Sequence, residues 1–267
     1  MVKCKNIIEF MEELAPRELA EEWDNVGLMV GEFDMPVKKA VAALDINDDV
    51  IEEAINIKAD MIITHHPFIF GSINNINSES VVGKRAIKLI KNNIAVYSAH
   101  TNLDIAQKGT NGVLAEILEL QNIKPLMKSI DGVNGLGRIG ELKQEMSFIE
   151  LALSIKRKIG LKNLIVTGNK EKIIKKIGLC TGQTAGSDYM VSAKENGCDA
   201  YITGDLRYHE AQFANNIDLC TIDITHYGGE VLVIPFLCDY LNKRAKENNF
   251  DFICVESKVD GQTLNII

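Results

Sequence analysis

The chain has 267 residues, 46% hydrophobic and 25% charged, with a formal net charge of −8. That length and balance fit a globular protein of one large domain or two smaller ones sharing an interface. No Lys/Arg block is present to track a phosphate backbone, so nucleic acid is not expected as a partner, whereas a small anionic substrate stays compatible if bound divalent cations reverse the local field.

In chain order, 5–23 reads as a helix, with Ile7, Ile8, Met11, Leu14 and Leu19 at near-helical spacing. A strand follows around 26–30, then strand 38–45, helix 47–59 with Asn47 or Asp48 near its N-cap, and the strand that ends at Thr64. Helix 80–93, strand 94–99 and helix 110–120, with a Thr or Asn cap, complete the first half. The stretch 125–172 reads as a turn and short strand, a Ser-capped helix at 147–160 and a strand at 163–168. Alternation then resumes: strand 173–180, helix 187–197, strand 199–203, a helix from about Tyr208, strand 218–224, helix 229–247 and a last strand at 252–257. Strands alternating with helices predict an α/β protein with largely parallel pairing. No stretch approaches the roughly 18–20 apolar residues of a membrane span, and the N-terminal segment lacks a signal-peptide core, so a cytoplasmic protein without a membrane partner is expected.

The two ends of the chain share one order of elements. "KKAVAALDINDDVIEEAINIKADMIITHHPF" and "KKIGLCTGQTAGSDYMVSAKENGCDAYITGDLRYH" both run lysines, strand, helix, strand and polar tip. The next strand ends at His100 in one and at His226 in the other, each with an acid four residues on, Asp104 and Glu230. This predicts two similar α/β lobes from an internal duplication, 1–124 and 173–267, joined by a connecting insert at 125–172, with a metal site in the cleft between the lobes.

Parallel sheets place functional groups beyond the carboxyl ends of their strands. All five histidines fall there: His65, His66, His100, His209 and His226. The four tips are His65/His66, His100/Asp104, Asp205/His209 and His226/Glu230. Imidazole nitrogen with carboxylate oxygen suits Zn, Fe, Mn, Ni or Co, and the sequence does not choose among them. A lone His at a strand end is ordinarily a hydrogen-bonded surface residue. Five histidines so placed, two of them adjacent and two followed by an acid four residues on, point to divalent metal. Adjacent His65 and His66 in extended backbone would point opposite ways and reach different ions. "TGQTAGSD" (181–188) reads either as a tight strand–helix turn or as an anion-binding loop. Core packing is the expectation for Trp23, with substrate stacking as the alternative. The six cysteines form no C-x-x-C pair and are expected to be buried, reduced thiols.

Taken together, "EEWDNVGLMVG", "ITHHP", "HTNLD", "GQTAGSD", "TGDLRYH" and "THYGGE" resemble, over nearly the whole chain, the NGG-interacting-factor-three-like family. These are dinuclear-metal-centre hexameric proteins whose bacterial members are often named GTP cyclohydrolase I type 2 homologues. The resemblance implies His65, His66, Asp104, His226 and Glu230 as ligands of two divalent metal ions. It also implies a homohexamer, a trimer of dimers, in the compact form that lacks a large inserted domain. The expected function is metal-dependent hydrolysis of a small nucleotide-like or phosphorylated substrate, with His100 or His209 as proton carrier. The alternative is a metal-handling or regulatory scaffold without turnover; a coordination position open to water would separate the two. Because paired dications repel, Asp104 or Glu230, or both, should bridge them, with His100 hydrogen-bonded near the site.

Overall fold

The computed structural model describes residues 1–128 and 131–264. Two compact units result, one made of Met1–Leu103 with Val233–Gln262, the other mainly of Asp104–Leu232.

The first unit opens with α1 (Cys4–Leu14), which buries Ile7, Ile8, Phe10 and Met11 along one face. Pro16 ends it: the residue before a proline is driven out of helical backbone, and Ala15 stands at φ −142°. The helix expected over 5–23 therefore stops at Leu14, and only a short 3-10 turn at Arg17–Leu19 follows. Next come β1 (Gly27–Val30), β2 (Lys39–Ala43), α2 (Asp48–Asn56), β3 (Met61–Thr64), α3 (Val81–Lys91), β4 (Ala95–Ser98) and the start of the short α4 (Thr101–Ile105), whose last two residues belong to the second unit. Asn47 caps α2 by accepting from the Val50 amide at 2.9 Å. β2, β3 and β4 are parallel and adjacent in that order, and β1 lies antiparallel on β4. β3 is buried at every position, as a strand covered on both faces must be.

The second unit contains α5 (Thr110–Ile117), β5 (Gln121–Pro125), β6 (Arg138–Ser147), α6 (Phe148–Lys158), β7 (Ile165–Thr167), β8 (Ile173–Leu179), α7 (Ser187–Glu195), β9 (Ala200–Thr203), α8 (Tyr208–Asn216), β10 (Cys220–Asp223) and α9 (His226–Glu230). β8, β9 and β10 are again parallel and sequential, and β7 lies antiparallel on β10 as β1 does on β4. β6 and β5 extend the other edge antiparallel, so this sheet is mixed. Alternation along β9 sends Ile202 into a cluster with Phe148, Ile155, Ile177 and Ile222, while Tyr201 enters one with Met190, Ala193 and Ala214. The chain then returns to the first unit with α10 (Val233–Glu247) and β11 (Ile253–Glu256).

The repeated plan of three parallel strands with an antiparallel neighbour on the third agrees with two similar α/β lobes. The lobe boundaries differ from the expected 1–124, 125–172 and 173–267. Residues 104–124 belong to the second unit, and 125–172 supplies β6, α6 and β7 of its sheet rather than a separate insert. Residues 233–262 return because β11 pairs in parallel with β2, from Ile253↔Lys39 to Glu256↔Ala42. The helix expected over 229–247 is divided into α9 and α10. All six cysteines are buried free thiols. Among the described residues no helix is long and apolar enough to cross a membrane.

Arg138, at the start of β6, is 2% exposed. Its guanidinium donates to the carbonyls of Gly135, Gly137 and Ala106, and burial pulls its pKa down to about 10. Through Ala106 it fixes the chain just after α4. Arg138→Met keeps the stem but removes the guanidinium donor from all three carbonyls, of which Gly137 and Ala106 still accept from the Leu126 and Gly109 amides, and the loss costs about 1–3 kcal/mol. A thermal melt of the variant is expected several degrees below wild type; an unchanged melt would show that the carbonyls find other donors.

Candidate metal centre

In the first unit β3 ends at Thr64, whose hydroxyl donates to the His66 carbonyl at 2.8 Å and closes a bend. The strand alternation expected to separate His65 from His66 is therefore gone by the time the chain reaches them. Their ring centroids lie 5.1 Å apart, and His100, just beyond β4, lies 5.3 Å from His65 and 5.7 Å from His66. One ligating nitrogen from each of the three falls within 4.8 Å of the others, so the trio can hold a metal ion.

Each ring is oriented through Nδ1. His65 Nδ1–H donates to the Ala99 carbonyl at 2.9 Å, which leaves Nε2 with a lone pair. His66 Nδ1 lies 2.7 Å from Asp45 Oδ1, and His100 Nδ1 lies 2.9 Å from Asp24 Oδ1. Asp24 also accepts from the Thr101 amide and hydroxyl, at 3.0 and 2.6 Å. Burial alone would raise the Asp24 pKa, but the hydrogen bonds from His100 and Thr101 outweigh it and bring it to about 2. Asp24 is thus a fixed anion behind His100.

In the second unit, α9 carries His226 and Glu230 four residues apart on one face. His226 Nδ1 lies 2.9 Å from Asp205 Oδ2, and Nε2 lies 3.1 Å from Glu230 Oε2. Glu230 is 3% exposed, and a carboxylate oxygen of Asp104 comes within 4.8 Å of it. Asp223, at the end of β10, accepts from the Leu206 and Thr225 amides, and the Thr225 hydroxyl then caps α9 by accepting from the Gly228 amide at 3.0 Å. Thr225 sits at φ +64°, a left-handed backbone that its cap and the Asp223 contact hold in place.

Asp104 is supported from α5. The Thr181 hydroxyl donates to Thr110 Oγ1 at 3.1 Å, and the Thr110 hydroxyl donates to Asp104 Oδ1. Asn111 donates to the Asp104 carbonyl and accepts from the Thr181 amide. The sequence predicts Thr110 or Asn111 as the cap; instead Gly109 is the N-cap residue, and both side chains bond to Asp104 and Thr181. This also gives "TGQTAGSD" its role. A Cβ on Gly182, at φ +74°, would collide with Glu230 Oε1, so the turn is shaped to admit a carboxylate of the chain itself. Gly204 is similarly close, where a Cβ would come within 2.9 Å of the His226 amide nitrogen.

The predicted residues therefore gather as His65, His66 and His100 in one unit and Asp104, His226 and Glu230 in the other. His209 does not join either set: it lies exposed on α8, against Tyr208 and Gln212. The orienting carboxylates Asp24 and Asp45 were missed, although Asp45 ends the apolar run of β2 as visibly as the histidines end theirs. The donors are nitrogen and oxygen only, and Nδ1 of each clustered histidine is held by a carbonyl or carboxylate, which makes Nε2 the ligating atom toward an ion. These side chains fit a divalent metal.

The sequence matches the Duf34/NIF3 (NGG1p interacting factor 3) family profile over residues 2–261. A Clostridium perfringens protein named GTP cyclohydrolase 1 type 2 homolog is 37% identical over 260 residues, covering 97% of this chain and 98% of its own. Among solved structures, reduced HcgD from Methanocaldococcus jannaschii superposes with a TM-score of 0.82 at 36% identity, covering 97% of this chain and 98% of that one. A Bacillus cereus protein related to NIF3 superposes with a TM-score of 0.93 at 24% identity over 100% of this chain and 99% of that one. With the family profile spanning nearly every residue, this chain belongs to the DUF34/NIF3 family.

Proposed function

We propose that this protein is a metal-dependent hydrolase of a small nucleotide-like or phosphorylated substrate, with His65, His66, Asp104, His226 and Glu230 holding two divalent ions. The observation that carries this reading is the orientation of the histidines: Nδ1 of His65, His66 and His226 is tied to a carbonyl or carboxylate, which makes Nε2 the atom that would ligate. Purely structural histidines need no such uniform arrangement. Bound as a pair, such ions supply an acidified water and stabilise developing negative charge.

The chain's own residues supply the rest. His100, backed by Asp24, accepts a proton at Nε2, and the neighbouring carboxylate stabilises the imidazolium that results. Asp104, steadied by Thr110, brings negative charge that offsets ion–ion repulsion. The name of the Clostridium relative makes GTP the first substrate to try. Hydrolysis of the two C–N bonds to C8 by two waters would open the purine and release that carbon as formate.

Metal analysis of freshly purified protein is expected to find two equivalents per chain. A hydrolase screen over nucleotides and phosphoesters, with that metal restored, tests turnover. Two tightly held ions with no hydrolysis of any of them would favour a metal-handling protein instead. The protein is further proposed to be a homohexamer, a trimer of dimers. Light scattering should then report six times the 29.6 kDa chain, and a monomer at micromolar concentration would refute it.

A further inference from the structure

Trp23 and Phe70 have no part in the chemistry above, yet they stand beside it. Trp23 is 62% exposed, so the expectation of core packing fails, and Phe70 is 67% exposed. Their ring centroids are 6.1 Å apart at 66°, an edge contact in which both residues stay more than half exposed. Two large aromatic rings held in water are costly unless something covers them.

The rings are also fixed in place. Asp24, next to Trp23, takes the three hydrogen bonds from His100 and Thr101. Asn25 donates to the Ile69 carbonyl at 2.7 Å, which ties down the residue before Phe70. The Glu21 amide donates to Thr101 Oγ1 at 3.0 Å and anchors the chain on the other side of Trp23. One tripeptide, Trp23-Asp24-Asn25, thus joins an exposed ring, the orientation of His100 and the Phe70 loop. The indole meets the His100 ring edge-on at 6.1 Å and 77°, and His100 sits with His65 and His66. An open aromatic surface therefore begins one ring away from the histidine nitrogens.

We propose that Trp23 and Phe70 form a stacking platform for a planar heteroaromatic ring of the substrate. The anionic remainder of that molecule would reach the metal centre, and in this respect the inference rests on the function proposed above. Stacking reads a flat π-face rather than particular hydrogen-bonding edges, so the platform selects a class of ring and not one base.

Trp23 is the only tryptophan, so its emission reports on this surface alone. Full-length protein, with and without two equivalents of metal, would be titrated with GMP, guanosine and ribose 5-phosphate. With metal bound, GMP should quench the emission saturably and guanosine more weakly; without metal both should still quench, through the ring alone, and GMP should lose its advantage; ribose 5-phosphate should not quench it in either state. Phe70→Leu should weaken GMP binding roughly tenfold, by calorimetry, while metal content stays unchanged. GMP binding without any change in emission, or with unchanged affinity in Phe70→Leu, would overturn the platform. So would failure of both GMP and guanosine to quench, or a Trp23 shielded from acrylamide by a second copy of the chain. Guanosine quenching in a protein that takes up no metal would sink the hydrolase reading and leave the platform standing. Full metal content without quenching would do the opposite.

Discussion

Glu230→Ala is expected to weaken metal binding at least 100-fold while leaving the fold in place. The expectation starts from distance. Two ligands at right angles around an ion, each bonded at about 2.1 Å, lie about 3 Å apart. His226 Nε2 and Glu230 Oε2 lie 3.1 Å apart, the spacing of two ligands on one ion. The fold should survive because α9 is started by Thr225 and Asp223, which the substitution does not touch. Gly182→Ala tests the same point with every ligand retained. Its methyl would push on Glu230 Oε1, so metal binding should weaken although no donor is lost. Metal content after dialysis, read beside the circular dichroism spectrum, checks both variants. Glu230→Ala that still takes up two equivalents with unchanged affinity would end the ligand assignment.

Strand tips were the legible part of this site. Apolar runs ending at Thr64, Ser98 and Asp223 become buried parallel strands; His65, His66 and His100 follow two strands of one sheet and His226 follows a strand of the other, because each parallel run delivers its carboxyl ends to one edge of its own sheet. The carboxylates behind the rings were not legible. Asp24 is 76 residues from His100 and Asp45 is 21 from His66, and no periodicity links positions that only strand order brings together. Thr110 and Asn111 were misread for a related reason: a Thr or Asn at a helix start is chemically ready to cap it, and only the buried neighbours reveal another use. β6 was underestimated because "ELKQEM" is polar and carries little apolar alternation, although the strand runs for ten residues. β11 read correctly as a strand, but an apolar run of four residues does not say which sheet it joins. Trp23 shows the limit of composition: a single tryptophan belongs in a core by average behaviour, and here its exposure is the informative departure.

Asp104→Asn should lower affinity for at least one ion far more than His100→Asn does. The two residues share one short segment, which makes the comparison a fair one. Two dications held close together repel, and neutral imidazoles offset little of that. A carboxylate offsets it directly. In Asp104→Asn the amide oxygen can still accept from the Thr110 hydroxyl, so the local hydrogen bond and the fold are kept. That choice turns the amide NH2 group toward the position where a ligand oxygen is needed, and an NH2 group offers no lone pair to a cation. The loss should therefore be large, on the order of 100-fold, and confined to metal binding. His100→Asn removes one of the hydrogen bonds to Asp24 but leaves the two from Thr101, so the Trp23-Asp24-Asn25 turn should persist. On the proposed assignment, in which His100 is not a ligand, its loss should cost metal affinity roughly tenfold. Titration calorimetry on the two variants decides the order. If His100→Asn proved the more damaging to metal binding, His100 would be a ligand, and the pairing of Asp104 with Glu230 as equivalent residues of a duplicated site would lose its functional basis.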